Sequence, residues 1–323
     1  MSMKAAVLHG IDDIRFEEAP APFPGPDEEL VTIAAAGICG SDVDRVFGKG
    51  AYHYPIILGH EFSGIRAEDG AKVVIYPLIP CMECVMCQIG EYACCSDYDY
   101  YGSRRDGGFA QQIAVRKWNV IEAPGHADLE SLAMTEPAAV ALHAVSLLGL
   151  LPGQNVLVTG AGPIGILLGQ WAKKAGADKV YYVDIDERKL RFAEERGFYV
   201  HNGETADACV EGAGFSDSLA RCLEAAGAGA KVVLMGNPSG DMKLTQKEYW
   251  HILRKQLVLK GTWNSVHNGF RDEWRVAIGA VASGGIDVKS LISHRFSLEQ
   301  CGEAFKVLRE RREFVSKVMI LPA

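Results

Sequence analysis

The stretch NVLVTGAGPIGILLGQWAKKAGADKVYYVD, residues 155–184, restricts the possible folds more than any other segment. NVLVTG predicts a strand, GILLGQWAKKAG a helix and KVYYVDID a second strand. Strand–helix alternation of this kind argues a parallel sheet with helices on both faces. Gly160, Gly162 and Gly165 fall in G-x-G-x-x-G spacing between the first strand and the helix. Such glycines permit a tight turn and close approach of the backbone to a pyrophosphate, and the helix N-terminus adds free N–H groups and the positive end of its dipole. Pro163 and Ile164 open the helix, and Asp184 closes the second strand. Together these six residues form a candidate dinucleotide site. Asp184 would accept hydrogen bonds from the ribose hydroxyls and repel a 2′-phosphate, so NAD is expected rather than NADP. Arg188 and Lys189 follow closely and are read as solvent-facing residues of the next helix, ERKLRFAEERG. The competing reading is the same fold with no cofactor.

Upstream of Glu136 the texture differs. KAAVL, ELVTIAAAGICG and KVVIYPLIP read as strands, punctuated by Gly and Pro, and predict a β-rich first domain. The start, MSMKAAVLHG, lacks the pattern of a secretory leader, and no run of about eighteen apolar residues exists. A cytoplasmic protein with no membrane partner is expected.

Five of the nine cysteines lie in PCMECVMCQIGEYACC, residues 80–95. Structural disulfides are not expected in a reducing compartment, and 323 residues bury a core without staples. Cys81, Cys84 and Cys87, with Cys95 after a short gap, offer four thiolates for tetrahedral zinc. Reduced thiols without metal are the alternative, and Cys94 is read as a bystander. Zinc lobes of this type serve nucleic-acid binding or hold an enzyme together. A net charge of −8, from 33 Lys+Arg against 41 Asp+Glu, argues against a polyanion partner.

Three scattered residues offer a second metal site: Cys39 in AGICGSD, His60 in ILGHEFSG and Glu136 in MTEPAAVALHA. Three protein ligands with an open position make a catalytic zinc site. Singly, Cys39 also reads as core, His60 as a turn residue and Glu136 as a helix N-terminal carboxylate.

The succession of GHE (Gly59 to Glu61), a four-cysteine loop, GGFA (Gly107 to Ala110) and the glycine motif resembles the zinc-dependent medium-chain dehydrogenase/reductase family over essentially the whole chain. FGKGAYHYPIILGHEFSG, YYGSRRDGGFA and ILRKQLVLKGTWNS are most similar to its polyol branch. The resemblance implies an α/β protein with a GroES-like β-rich catalytic domain, residues 1–137 completed by 266–323. A Rossmann doubly wound parallel-sheet domain would span 138–265. It implies two zinc ions per chain: a catalytic one on Cys39, His60 and Glu136, with Glu61 exchanging in, and a structural one on Cys81, Cys84, Cys87 and Cys95. Asp42 would orient His60, and Ser41 would pass on the alcohol proton. Asp44 stands where the next relay member is often a histidine, so a water chain or Glu61 would have to serve.

The implied activity is NAD-dependent oxidation of a polyol or polyol phosphate to the ketose or ketose phosphate. Alternatives are a sorbitol, butanediol or secondary-alcohol dehydrogenase, or an inert zinc-binding relic. A phosphate would need local cations, and Arg104 and Arg105 are the candidates, unless they pair with Asp106 or Asp99. The apolar strand in LVLKGTW suggests edge pairing with a second copy, giving a homodimer or homotetramer. Two runs are shorter than the family pattern: IRAEDGAK (residues 65–72) and HNGETADACVEGAG (residues 201–214). The second leaves open whether the dinucleotide domain has lost a helix.

Overall fold

In the computed structural model, which describes residues 2–322, the strand Glu28–Gly37 organises a seven-stranded sheet. The strands run in the order Val120–Glu122, Lys72–Ile75, Glu61–Arg66, Glu28–Gly37, Lys317–Leu321 and Ile292–Ser297, and Gln112–Arg116 also pairs with Glu28–Gly37. Val31, Ile33, Phe62, Val73, Ile75, Val318 and Ile320 form its core, joined by Phe109 and Phe305 with rings edge to face at 5.9 Å. This sheet belongs to one of two compact units, Met1–Ala139 together with Val266–Ala323.

The chain returns to this unit at its end because Lys317–Leu321 pairs antiparallel with Glu28–Gly37, placing Met319 beside Gly37. On the other side of the same strand, Glu61 pairs with Gly37. The strands carrying Glu61 and Lys317 therefore flank one glycine. The short run IRAEDGAK is a hairpin turn. Ile65 pairs with Lys72, Gly70 takes a φ of 76°, and the Arg66 guanidinium donates to both Asp69 oxygens at 2.8 and 2.6 Å.

Backbone packing fixes where His60 stands. A Cβ at Gly102 or at Gly107 would collide with the Gly59 carbonyl. Gly108 N donates to Gly59 O at 2.7 Å, and Phe109 N donates to Leu58 O at 3.0 Å. The GHE and GGFA segments are thus fastened to each other backbone to backbone.

The second unit, Val140–Ser265, holds a six-stranded parallel sheet. Its strands lie in the order Tyr199–Val200, Val180–Val183, Val156–Thr159, Ala206–Glu211, Ala226–Leu234 and Val258–Gly261. Numbered along the chain that is 3-2-1-4-5-6, the Rossmann order. Helices Pro163–Lys174, Glu187–Glu194, Ser216–Ala225 and Gln246–Arg254 connect or follow these strands.

One crossover has no helix. Tyr199–Val200 is at the sheet edge, the next strand in the chain lies beyond two others, and only residues 201–205 join them. Parallel crossovers ordinarily take a dozen residues or more. Here the connection bends at Asn202 and Gly203, the latter with a φ of 99°, and is pinned where Asn202 N donates to Glu204 Oε2 at 2.7 Å. Tyr181 is nonetheless buried, with the rings of Tyr199 and His201 at 5.8 and 6.1 Å. Aromatic side chains cover part of the sheet that a helix would have covered. No helix among the described residues is long and apolar enough to cross a membrane.

Candidate active site

Cys39 ends the backbone run out of Glu28–Gly37 and caps the helix Gly40–Phe47. Its N–H donates to Asp42 Oδ2 at 3.0 Å, which anchors the first turn. Gly59, with φ 95°, turns the chain so that His60 enters the site ahead of the strand Glu61–Arg66. His60 Nδ1 lies 3.4 Å from Asp42 Oδ1, an ion-pair distance without hydrogen-bond alignment, and both atoms are buried with no other hydrogen bond. Facing Asp42 with Nδ1 leaves Nε2 as the free ring nitrogen. One ligand atom each from Cys39, His60 and Glu61 lies within 4.8 Å of the others.

Glu136 is buried in the first turn of the helix Thr135–Leu148, but its carboxylate is not part of that close group. Burial pushes its pKa up to about 7, His60 pulls down and Glu61 pushes up again. Two carboxylates beside one imidazole in a dry site cannot share one position, and Glu61 is the nearer. Burial lowers the His60 pKa, but the charges of Asp42 and then Cys39 outweigh it and carry it well above the ordinary imidazole range. Ser41 is half-buried in the first turn of its helix. The Asp44 carboxylate lies 3.6 Å from Lys49 Nζ at the surface.

Two residues that the motifs did not indicate belong to this site. Lys317 Nζ donates to Glu61 Oε2 and Oε1 at 2.6 and 2.8 Å, with both side chains buried. Burial opposes its charge, and the Glu61 and Cys39 charges more than offset this, so its pKa is raised. The available signal was a lysine opening the otherwise apolar strand KVMIL. Tyr100 sets its ring edge-on to His60 at 5.8 Å, and burial pushes its hydroxyl pKa well above the usual value.

The sulfurs of Cys81, Cys84, Cys87 and Cys95 also lie within 4.8 Å of one another. Cys81 N–H donates to Cys95 Sγ at 3.3 Å and Cys84 N–H to Cys81 Sγ at 3.4 Å, the pattern that supports thiolates. N–H groups of Ser96 and Cys87 lower the Cys84 pKa to about 6, whereas burial and the neighbouring thiols push Cys87 up to about 12. Four adjacent thiols cannot all ionise without a cation among them. Soft sulfur donors in this arrangement suit zinc, as does the Cys39–His60 set. Cys94 is exposed and outside the cluster.

In the second unit, each glycine of the motif has a separate use. Gly160 takes a φ of 92°, a Cβ at Gly165 would collide with the Gly160 carbonyl, and a Cβ at Gly162 would meet nothing. Gly162 caps the helix Pro163–Lys174, with Pro163 at its first position and Ile164 next, so open space lies before free N–H groups. A dinucleotide pyrophosphate fits that geometry. Asp184 closes the turn by accepting from Ala161 N at 2.8 Å and from Asp186 N at 2.9 Å. Arg188 is held by Asp186 through contacts of 2.8 and 2.9 Å. Lys189 is not solvent-facing as expected: its Nζ lies 3.7 Å from Asp184 Oδ2, because the following helix turns it back toward the strand end.

The two candidate phosphate arginines have different surroundings. Arg105 pairs with Asp99 at 3.1 Å and lies over Tyr101. Arg104 lies between the rings of Tyr98 and Tyr52, 4.3 and 5.0 Å from their centroids, and donates to Tyr98 O at 2.8 Å. Tyr98 in turn meets Tyr100 at 6.3 Å, so aromatic rings run from His60 to Arg104. Asp106 is engaged elsewhere, accepting from Ile57 N at 2.9 Å.

Known proteins share the fold of both units. Residues 25–125 match the alcohol dehydrogenase GroES-like domain, and residues 163–283 match the zinc-binding dehydrogenase domain. The chain is 35% identical to galactitol 1-phosphate 5-dehydrogenase of Escherichia coli K12, covering 99% of this chain and 100% of that one. Sheep (Ovis aries) sorbitol dehydrogenase is 30% identical, over 97% and 95% of the two chains. The crystal structure of galactitol-1-phosphate dehydrogenase from Escherichia coli superposes with a TM-score of 0.92 at 34% identity, covering 99% and 100%. A Sinorhizobium meliloti 1021 protein solved with NADP bound gives 0.90 at 30% identity, over 100% of both chains. The alignment to the Escherichia coli K12 relative spans 347 positions against 323 residues here, so this chain lacks residues that the relative has.

Metal ligands bind only when deprotonated. His60, held well above its usual pKa, and Glu136, at about 7, keep protons that zinc must displace. Zinc affinity of the metal-free protein at this site should therefore fall as pH is lowered, already above pH 7 through the His60 proton and more steeply below about 7, where Glu136 also holds one, roughly tenfold per pH unit for each proton displaced. Competition against a chromogenic chelator between about pH 6 and 8 measures this, with Cys81→Ser/Cys84→Ser protein to silence the other site. An affinity that stays flat with pH would show that these groups do not ligate.

Proposed function

Because the chain belongs to the zinc-dependent medium-chain dehydrogenase/reductase family and is a polyol or alcohol dehydrogenase, we propose that it oxidises a polyol phosphate resembling galactitol 1-phosphate to the ketose phosphate. The observation that carries this reading is Arg104, a cation braced by two aromatic rings at the end of the ring series leading from His60. An arginine fork held this way donates paired hydrogen bonds to a phosphate. Arg105, already paired with Asp99, is assigned no such role.

Zinc would be held by Cys39 and His60 with Glu61 or Glu136, and a second zinc by the four cysteines, making two per chain. The first supplies a Lewis acid for the alcohol, and NAD supplies the hydride acceptor. The protein's part is positional. Asp42 faces His60 Nδ1 at 3.4 Å, which leaves Nε2 as the nitrogen that would ligate. Ser41, in the turn beside Cys39, would relay the hydroxyl proton, accepting it while giving up its own. Asp44 faces Lys49 at the surface, so water rather than a side chain completes the exit from Ser41.

NAD is favoured over NADP because both Asp184 oxygens are fixed by backbone N–H groups at the strand end. Lys189 weakens that preference by partly neutralising Asp184. A second copy of the chain is proposed to pair along Val258–Gly261, the edge strand of the sheet, where Val258 is exposed and Tyr249, Trp250 and Leu253 expose apolar surface on the preceding helix. Light scattering separates a dimer or tetramer from a monomer, and a monomer at micromolar concentration would refute the pairing.

Arg104→Ala should lower kcat/KM for the polyol phosphate about tenfold or more, since hydrogen bonds to a charged group are worth roughly 1.5–3 kcal/mol. The unphosphorylated polyol should be almost unaffected. Arg105→Ala should treat both substrates alike. Equal losses on the two substrates in Arg104→Ala, or a wild-type preference for the bare polyol, would leave a sorbitol-type dehydrogenase instead.

Lys189→Ala should sharpen discrimination against NADP, and Asp184→Ser should narrow it. Steady-state kinetics with both cofactors measure the ratio of kcat/KM. Wild-type protein using NADP as well as NAD would show that Lys189, not Asp184, dominates at this position.

A further inference from the structure

Among the described residues no carboxylate pairs with Arg104. Asp99 is taken by Arg105 at 3.1 Å, and Asp106 accepts from Ile57 N at 2.9 Å. The Arg104 guanidinium is instead oriented by main chain and rings: its Nη1 donates to Tyr98 O at 2.8 Å, and Tyr98 and Tyr52 stack on it. With Nη1 committed, the edge formed by Nε and Nη2 remains for an anion. Arg66 grips Asp69, and Arg188 grips Asp186, by that same edge. Two parallel donors on one edge match two oxygens of a phosphate.

Tyr52 and His53 reach Arg104 from a different part of the chain. Residues 48–55 link the helix Gly40–Phe47, which carries Ser41, to the strand Ile56–Ile57. Gly50 turns this segment with a φ of 82°, and a Cβ there would collide with the Tyr54 hydroxyl, which accepts from Ala51 N at 3.0 Å. The turn brings His53 Nε2 to 3.0 Å from Arg104 O. A carbonyl only accepts, so His53 donates from Nε2. Tyr52 is 67% exposed, so burial contributes little to keeping its ring over the cation. The His53 bond, one residue further along, ties the same segment to the main chain of that arginine.

We propose that His53 is a positioning residue for substrate specificity: by donating to the Arg104 carbonyl it keeps Tyr52 stacked on the guanidinium, and so presents the Nε–Nη2 edge to the phosphate of the substrate. Without that bond Tyr52 leaves the cation and the arginine side chain regains rotamers, which a phosphate must then order again on binding. The hydroxyls at the other end of the substrate do not meet this loss. The proposal rests on the polyol phosphate reading under Proposed function and adds a second chain segment to it.

The test uses steady-state kinetics of the full-length enzyme with galactitol 1-phosphate and with galactitol, and inorganic phosphate as inhibitor of galactitol oxidation. His53→Ala should raise KM for the phosphate ester about threefold to tenfold, the range of one neutral hydrogen bond, while kcat changes by less than about twofold. Inhibition by inorganic phosphate should weaken by the same factor. His53→Gln places an amide N–H where Nε2 stands and should restore both values, whereas His53→Asn reaches only the Nδ1 position and should not. Adding His53→Ala to Arg104→Ala should cost nothing further, because the histidine acts through the arginine. Tyr52→Ala should reproduce the His53→Ala pattern.

An unchanged KM and unchanged phosphate inhibition in His53→Ala would overturn the proposal. So would equal losses on galactitol and its phosphate, losses that add to those of Arg104→Ala, or rescue by Asn as well as by Gln. Failure of the underlying reading is separately visible. In that case Arg104→Ala alone would treat both substrates alike, and inorganic phosphate would not compete in the wild-type enzyme.

Discussion

Charge without water governs the β-rich unit. Asp42, His60, Glu61, Glu136 and Lys317 are all buried, close to Cys39, and each must find its compensation among the others or in a bound cation. Isolated in such surroundings, a carboxylate or an ammonium would cost several kcal/mol. The unit meets this demand through sheet register. Glu61, Gly37 and Lys317 lie on three adjacent strands, and the middle residue has no side chain to separate the outer two. The C-terminal strand is therefore part of the site's electrostatics as well as of the sheet, which accounts for a unit assembled from both ends of the chain.

Glycine has a comparable role wherever two backbones must touch. Gly59, Gly102 and Gly107 let the GHE and GGFA segments meet with no side chain between them, which sets the height at which His60 leaves the turn. In the dinucleotide unit, Gly165 lets its helix pack against the Gly160 carbonyl, while Gly162 leaves space for a ligand instead of contacting protein. The missing crossover helix does not disturb this arrangement. It falls between the third and fourth strands in chain order, whereas the glycine turn proposed for the pyrophosphate lies after the first.

Adjacent cations illustrate how environment separates residues of one type. Arg104 is stacked between tyrosines and Arg105 is neutralised by Asp99, although they are neighbours in the chain. Arg188 and Lys189 divide similarly, the first paired with Asp186 and the second turned toward Asp184. In each pair, one residue is bound to a neighbouring carboxylate and the other has different surroundings.

The sequence alone determined what short-range spacing controls. The glycine motif between a strand and a helix and the close run of Cys81, Cys84 and Cys87 depend on backbone geometry over a few residues, so each was legible without coordinates. Strand–helix alternation likewise announced the parallel sheet. Only the tertiary structure decided which partner each charged group took. Lys317 meets Glu61 across 256 residues of chain, and that distance is bridged by sheet register, which no local pattern encodes. The same holds for Glu61 standing nearer than Glu136 to Cys39 and His60, for the different surroundings of Arg104 and Arg105, and for a crossover made without a helix. Local geometry follows from dihedral preferences of neighbouring residues, whereas the pairing of buried charges follows from which strands come to lie side by side.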